Sequence, residues 1–356
     1  MKLNIVVGSG ISGAVVARRI AEEKNEHVLV IEKERYIGGF CYDEQNKDGI
    51  YIHKFGPHIF RTDDEATWNF LSRFTDWYDY QHKVLACVDG NHYPIPINLN
   101  TINQYFGTSF SLANCKEFID SLAEDVENVE TVKDAIVSRV GEELYSKFFE
   151  KYTKKQWGID ADKLPKTIVD RMGVKKSMDD RYFTHKYQAI PTQGYTKMIE
   201  RMLDHPNIKI LLGTDYLEIK DSLPEAKIYY SGPIDEFYGY KYGKLPYRCV
   251  NFKIEEYDCE YFQPAAVINY PNNYDYTRIT EYKYFLKYDT KRTVIAKEYP
   301  SSEGRSAYPI PIPENNALYA KYCELNDGKV TFIGRLGKYK YYSMNDIVQE
   351  ELAMEL

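Results

Sequence analysis

Three observations predict an α/β fold built around a doubly wound parallel sheet. Near the start, an apolar strand runs straight into a glycine turn and a helix. Strand–turn segments of the same style recur far downstream. Between them the chain changes character twice, first to helical periodicity and then to tyrosine-rich strands. Length and composition allow such a fold: 356 residues suffice for two or three domains, and 44% apolar with 28% charged residues is an ordinary globular profile. The same figures exclude the disordered, collagenous and coiled-coil classes.

The first forty residues set the fold. Asn4-Ile5-Val6-Val7 leads into Gly8-Ser9-Gly10-Ile11-Ser12-Gly13, and an apolar stretch at helical spacing follows, with its charges late at Arg18, Arg19, Glu22 and Glu23. A second strand, His27-Val28-Leu29-Val30-Ile31, ends at Glu32. Strand, helix and strand in this order open a doubly wound sheet. Residues 115–126, 132–140 and 142–152 show helical periodicity with Ser111 and Thr131 as caps, and they predict a mostly helical domain over 98–189. Stretches 248–254, 265–270 and 293–298 are rich in Tyr, Val and Ile and bounded by Pro, Asn and Asp. They predict an antiparallel sheet domain over 241–304. Segments 208–213, 227–232 and 330–334 return to the strand–turn style, and 344–354 reads as a C-terminal helix. The doubly wound domain is therefore predicted to be discontinuous, over 1–85, 190–240 and 305–356.

Charge and cysteine spacing narrow the function. With 46 basic against 53 acidic residues the net charge is −7, which argues against nucleic acid as a partner. No run approaches the ~18 apolar residues of a membrane span. The start lacks the apolar region and cleavage site of a signal peptide, so a cytoplasmic location is expected. Cysteines 41, 87, 115, 249, 259 and 323 have neither close pairing nor a histidine cluster, so no zinc site or disulfide framework is expected. Tyrosine, at 34 residues, is abundant enough to furnish both half-buried strands and pockets needing flat faces with hydroxyls.

The glycine unit carries the first chemistry. Gly8 allows the tight turn, Gly10 lets the backbone approach a pyrophosphate, and Gly13 lets the helix pack on the sheet. The helix N-terminus offers its unpaired N–H groups to the phosphates. Glu32, about twenty residues on, is placed to accept hydrogen bonds from a ribose diol. Dinucleotide binding is the expectation. Ile37-Gly38-Gly39 puts a second glycine pair near the same crevice, a pattern similar to FAD-binding proteins rather than NAD dehydrogenases.

From here the chain resembles the flavin-dependent UDP-galactopyranose mutases, nearly end to end and through motifs in order. These are Lys54-Phe55-Gly56-Pro57-His58-Ile59-Phe60, Pro94-Ile95-Pro96-Ile97-Asn98, Tyr152-Thr153-Lys154-Lys155-Gln156-Trp157-Gly158 and Asp170-Arg171. Tyr182-Phe183, Tyr187-Gln188-Ala189-Ile190-Pro191, Ser231-Gly232-Pro233-Ile234-Asp235 and Pro246-Tyr247-Arg248 follow. Tyr276-Thr277-Arg278-Ile279-Thr280-Glu281-Tyr282-Lys283, Tyr308-Pro309-Ile310 and Gly334-Arg335-Leu336-Gly337-Lys338-Tyr339-Lys340-Tyr341 complete the set.

The resemblance implies a Rossmann-like FAD-binding domain and a redox-neutral isomerase. Reduced flavin N5 would attack the anomeric carbon of a nucleotide sugar, most simply UDP-galactopyranose, and release the furanose form. The cofactor is then the nucleophile, and the protein's task is positioning and charge. Gly8, Gly10, Ser12, Gly13, Glu32, Lys33, Gly38, Gly39, His58, Arg335 and Met344 would hold FAD. Arg171, on a lid, and Arg278 would grip the diphosphate, as guanidinium does bidentately, with Arg248 and His58 near the flavin and sugar. Phe148, Phe149, Tyr152, Thr153, Trp157, Tyr182, Tyr308, Tyr341 and Asn98 would complete the substrate pocket. Read by helical spacing alone, Phe148, Phe149, Tyr152 and Trp157 would be core. NAD(P)H or a reductase would supply electrons, and a homodimer is implied. No metal is expected.

Three departures touch the sugar end. Arg61 stands where the family repeats its histidine, Ser343 where it usually has an acid, and Gly173, Lys175, Lys176, Met178 and Arg181 alter the lid. They leave open a different nucleotide sugar, a UDP-GalNAc or a GDP-sugar. A net-redox FAD oxidoreductase of the amine-oxidase type is the further alternative, for which Arg171, Arg248 and Arg278 would be superfluous.

Overall fold

The computed structural model describes residues 3–169 and 175–356, which divide into two compact units. The first takes the chain up to Tyr80, His185–Tyr247 and Ser306–Leu356; the second takes Gln81–Thr184 and Arg248–Arg305. Arg171 lies outside the described residues.

In the first unit, five parallel strands run in the order Ile208–Leu212, His27–Glu32, Leu3–Val7, Lys227–Tyr230 and Val330–Phe332. The strand that feeds the glycine turn is central. Because side chains alternate across a strand, Val6, Val28 and Val30 join one core, with Val15 and Val16 of the helix Ile11–Arg19. Ile5, Ile31 and Tyr230 join a second core. Both faces are covered, which is why these strands are almost wholly apolar. Ile347 and Val348 of the helix Met344–Ala353 enter the first core, so the last helix packs with the first. A small antiparallel sheet, Phe60–Thr62, Tyr187–Pro191 and Trp77–Asp79, flanks them.

The sheet of the second unit runs Tyr247–Tyr257, Thr293–Ser301, Arg278–Glu281, Val267–Asn269, Val84–Val88 and Asn91–Ile95. The pairings are antiparallel except that of Val267–Asn269 with Val84–Val88, which is parallel. The sheet thus recruits a hairpin from ahead of the helical stretch. Its turn, Asp89-Gly90, has φ of 50° and 83°, the conformation that a two-residue hairpin with natural twist requires. The helical stretch contains Leu99–Phe106, Cys115–Leu122, Val132–Tyr145 and Lys151–Trp157. Thr131 caps the third through a reciprocal box with Asp134. Ser111 does not cap the second: Asn114 holds the cap position, and the Ser111 hydroxyl bonds to the Asn114 side chain. Among the described residues no helix is long and apolar enough to cross a membrane.

Candidate active site

The glycine turn of the first unit separates what the fold needs from what a ligand needs. A Cβ at Gly8 would lie 2.1 Å from Ser231 Oγ, and one at Gly13 would lie 2.0 Å from the Gly8 carbonyl oxygen, so chain packing alone demands both glycines. Gly10 differs. Its φ of −69° suits any residue, and a Cβ there would meet only Gly39 Cα at 3.7 Å and Gly38 O at 3.9 Å. Nothing in the protein requires glycine at 10, whereas a group lying against the turn would. Gly38 and Gly39 sit against it, with Gly38 bridged to Gly10.

Glu32 is buried, and its carboxylate organises the turn. Oε2 accepts from Ser9 N at 2.8 Å and Ser9 Oγ at 2.7 Å, and Oε1 accepts from Glu34 N at 2.9 Å. With about four lone-pair sites, the carboxylate retains capacity for a diol. Lys33, beside it, is exposed. Ser12 departs from expectation. Its hydroxyl donates to Glu351 Oε1 at 2.9 Å, which also accepts from Gly334 N at 2.9 Å. With its hydrogen so spent, the Ser12 hydroxyl can only accept, and the backbone N–H is what it has to donate to a ligand. Glu351 is fully buried and Oε2 has no partner, so burial pushes its carboxyl pKa up. Met344 Sδ lies 3.6 Å from the Cys41 thiol, whose pKa burial pushes up to about 12.

His58 is also locked. Nδ1 lies 2.7 Å from the Gly56 carbonyl, so it carries the hydrogen and Nε2 is an acceptor. Its N–H donates to His53 Nδ1 at 3.0 Å. Burial, with His53 and Arg335 adding smaller effects, pulls the His58 pKa down to about 3. The ring is neutral at working pH, with its one hydrogen on Nδ1. Arg335 lies over the Tyr308 ring at 4.8 Å and donates through Nη1 to Ala307 O at 3.2 Å, while its buried Nε has no partner among the described residues. Tyr341 is 5.8 Å from Tyr308, ring to ring, and exposed. An orphaned guanidinium N–H and a turn opened at Gly10 both fit an anionic, planar cofactor such as FAD.

The second unit holds the arginines in pairing and capping contacts. Arg278 donates from Nε and Nη2 to Glu298 Oε2 and Oε1 at 2.7 and 2.9 Å. The two residues face each other across the strand pair. Arg248 is buried, donating from Nε to Gln156 O at 3.0 Å and from Nη2 to Lys155 O at 3.1 Å. It caps the C-terminal end of the helix Lys151–Trp157, where carbonyls lack helical partners. Burial lowers its pKa. No carboxylate pairs with it among the described residues.

The neighbouring side chains divide. Trp157 and Thr153 are buried on the helix, while Tyr152 and Phe149 are partly exposed. Phe148 is core, edge-on to Tyr93 and Tyr105 with centroids 5.6 Å away in each case. Asn98 also departs from the expected substrate role. Fully buried, it caps Leu99–Phe106 through Thr101 N and donates to Asp180 Oδ1 at 2.8 Å. The lid residues beyond 174 are tied down too. Lys175 N donates to Ile97 O, Leu99 N to Ser177 O, and Arg181 pairs with Asp179. Lys175 Nζ bonds to Arg181 O, while Lys176 reaches Asp120 at 3.0 Å. Tyr182 stands edge-on to His82 at 5.9 Å. Ser343 caps Met344–Ala353 with Asp346, a service that an acid at that position would perform equally. Sequence reasoning missed Glu298, Glu351 and Lys155; a buried-strand position occupied by an acid was the one available signal, for Glu298.

Fold and glycine turn define a Rossmann-type nucleotide-binding protein, and a family model for an NAD(P)-binding Rossmann-like domain matches residues 6–74. A second model, described as UDP-galactopyranose mutase, matches residues 147–341. The chain is 39% identical to a Klebsiella pneumoniae protein named "Probable UDP-galactopyranose mutase", over 98% of this chain and 92% of that one. It is 37% identical to the dTDP-fucopyranose mutase of Escherichia coli, over 98% and 96%. A crystal structure of reduced UDP-galactopyranose mutase shares the fold with a TM-score of 0.79 at 15% identity, over 99% of this chain and 94% of that one. The chain belongs to the UDP-galactopyranose mutase family, whose members are isomerases.

Proposed function

We propose that this chain is an FAD-dependent, redox-neutral mutase interconverting the pyranose and furanose forms of a nucleotide sugar, UDP-galactose in the first instance. Arg248 carries the reading: a buried guanidinium whose partners among the described residues are carbonyls alone. A covered cation without a counter-charge is costly, and a diphosphate supplies that charge where a neutral amine would not.

When bound and reduced, FAD supplies a nucleophilic nitrogen for the anomeric carbon, and the diphosphate leaves and returns without net electron consumption. Gly8, Gly10 and Gly13 with the helix N-terminus would cradle its pyrophosphate, Glu32 would take the ribose, and Arg335 would help to hold it. His58 presents Nε2 as a fixed acceptor. Arg278, held from behind by Glu298, and Arg248 bind the sugar diphosphate, with Arg171 as a third cation. In the same unit Tyr152 and Trp157 would line the nucleotide-sugar pocket, and Tyr182 would offer its hydroxyl. NAD(P)H or a reductase keeps the flavin reduced.

A second reading, a dTDP-linked sugar as substrate, is favoured by the similar identity to the fucopyranose mutase. Dithionite-reduced protein, held anaerobically with the furanose forms of UDP-, dTDP- and GDP-sugars, tests both. Many turnovers per reducing equivalent are expected with one nucleotide preferred. One product per hydride would replace the mutase reading with a net-redox one.

A further inference from the structure

Lys155 holds an unusual position for a lysine. Its Nζ lies 2.5, 2.9 and 3.1 Å from the carbonyl oxygens of Tyr270, Tyr274 and Tyr276. These three carbonyls belong to one connection, the loop that joins Val267–Asn269 to Arg278–Glu281. An ammonium has three donors, and here all three are spent on that loop. The loop is closed at its base by Tyr270 N donating to Thr277 O at 2.8 Å, and Thr277 N in turn donates to Glu298 O at 2.8 Å. Its three rings pack on one another, with Tyr274 and Tyr276 stacked at 4.9 Å and Tyr270 edge-on to both at 5.3 and 5.1 Å. The residue after this closure is Arg278.

The backbone of the same lysine serves the other arginine. Lys155 O accepts from Arg248 Nη2 at 3.1 Å, beside the Gln156 O contact of Arg248 Nε. One residue therefore joins, through its side chain, the loop that delivers Arg278 and, through its carbonyl, the guanidinium of Arg248. A lysine serving only as a solvated charge would not be half covered and surrounded by three carbonyl dipoles. Burial brings its pKa down to about 8, against the raising effect of Asp275, so the ammonium remains the main form at neutral pH.

We propose that Lys155 is a positioning residue for the diphosphate clamp. Its ammonium folds the 270–276 loop so that Arg278 is presented at a fixed place relative to Arg248. The proposal rests on the nucleotide-sugar reading given above, and it assigns Lys155 no contact with substrate. Removing the ammonium takes their donor from the part-buried carbonyls of Tyr270 and Tyr276 and from the exposed carbonyl of Tyr274, and it frees the loop. The arginines remain, but their spacing is no longer set.

The test uses the flavin-loaded, full-length protein and UDP and dTDP as probes, followed by titration calorimetry. Lys155→Met should weaken binding of the preferred diphosphate by roughly tenfold or more, the scale of a lost charged hydrogen-bond set. Flavin content and visible spectrum should stay as in the parent, because the loss is confined to the second unit's clamp. Lys155→Arg, which can still donate to carbonyls, should recover a substantial part of the affinity. The decisive measurement is a cycle with Arg278→Ala. If Lys155 acts through Arg278, Lys155→Met should cost little further affinity once Arg278 is gone. Additive losses in the double variant, or parental affinity in a folded Lys155→Met protein, would overturn the proposal. Should Lys155→Met fail to fold, the same cycle run with Lys155→Gln gives the same discrimination. A parent protein that binds neither probe would refute the nucleotide-sugar reading itself, a result distinct from the failure of Lys155.

Discussion

Arg278 and Glu298 sit directly opposite each other on paired strands and are joined by two hydrogen bonds of 2.7 and 2.9 Å, with the carboxylate almost wholly buried and the guanidinium partly exposed. A fork held in this way is fixed in plane. Glu298→Gln keeps the shape and removes the charge. Charge-assisted bonds contribute about 1.5–3 kcal/mol each. The variant should therefore lose on the order of tenfold or more in diphosphate affinity while retaining flavin, as calorimetry with UDP would read. Arg278→Ala should also lower the melting temperature, since it strands a buried carboxylate.

Gly158 bears on the second arginine. Its φ is 70°, and a Cβ there would come 2.8 Å from Arg248 Nη1. Gly158→Ala should push the guanidinium off the helix end, and αL strain of about 1 kcal/mol would add to that. We expect turnover to fall by on the order of tenfold with flavin content intact. Parental turnover would show that the position of Arg248 does not matter to the reaction.

Gly10 offers the opposite kind of test. Because its backbone and surroundings accept a side chain, Gly10→Val should fold with near-parental circular dichroism and melting temperature. Its branches would occupy the space proposed for the cofactor pyrophosphate, and the purified protein should be nearly colourless. Full flavin absorbance in that variant would place the cofactor elsewhere.

Much of the nucleotide-binding unit was legible because its signals are local. Strand, glycines, helix and acid follow one another within a few dozen residues, and Gly141, at φ 78°, breaks the helix Val132–Tyr145 where the periodicity also breaks. The Asn98 cap was equally local, with Thr101 three residues on, but the motif drew attention to a ligand role instead. Partners distant along the chain were not legible. Glu298, Lys155 and Glu351 reach theirs across 20, 115 and 339 residues. No short-range pattern distinguishes one acid or lysine from the chain's 53 acidic and 46 basic residues when its meaning depends on such a partner.

Two buried histidines predict acid sensitivity. Burial lowers both His53 and His58 from the ordinary 6.5 to about 3. Between those values the unfolded chain binds protons that the native protein refuses. Each ring therefore removes up to about 1.4 kcal/mol of stability per pH unit as pH falls from 6.5 toward 3. The raised carboxyl of Asp43 acts in the opposite direction, being stabilised by protonation in the native state. Urea midpoints at pH 7 and pH 5 should differ clearly in the parent and less in His53→Gln. Equal differences would mean that the rings are not buried neutral.

The clasp of Glu351 on Ser12 and Gly334 has a consequence for how the protein is made. The turn that would receive FAD is translated 339 residues ahead of the acid that ties it to Gly334. At about 5–20 residues per second, tens of seconds pass between the two. During that interval the glycine turn lacks its clasp, and the helix that brings Glu351 is also absent from the core it shares with Ile11–Arg19. The clasp is therefore completed only once the helix Met344–Ala353 has been translated, and a chain interrupted before residue 344 would lack it.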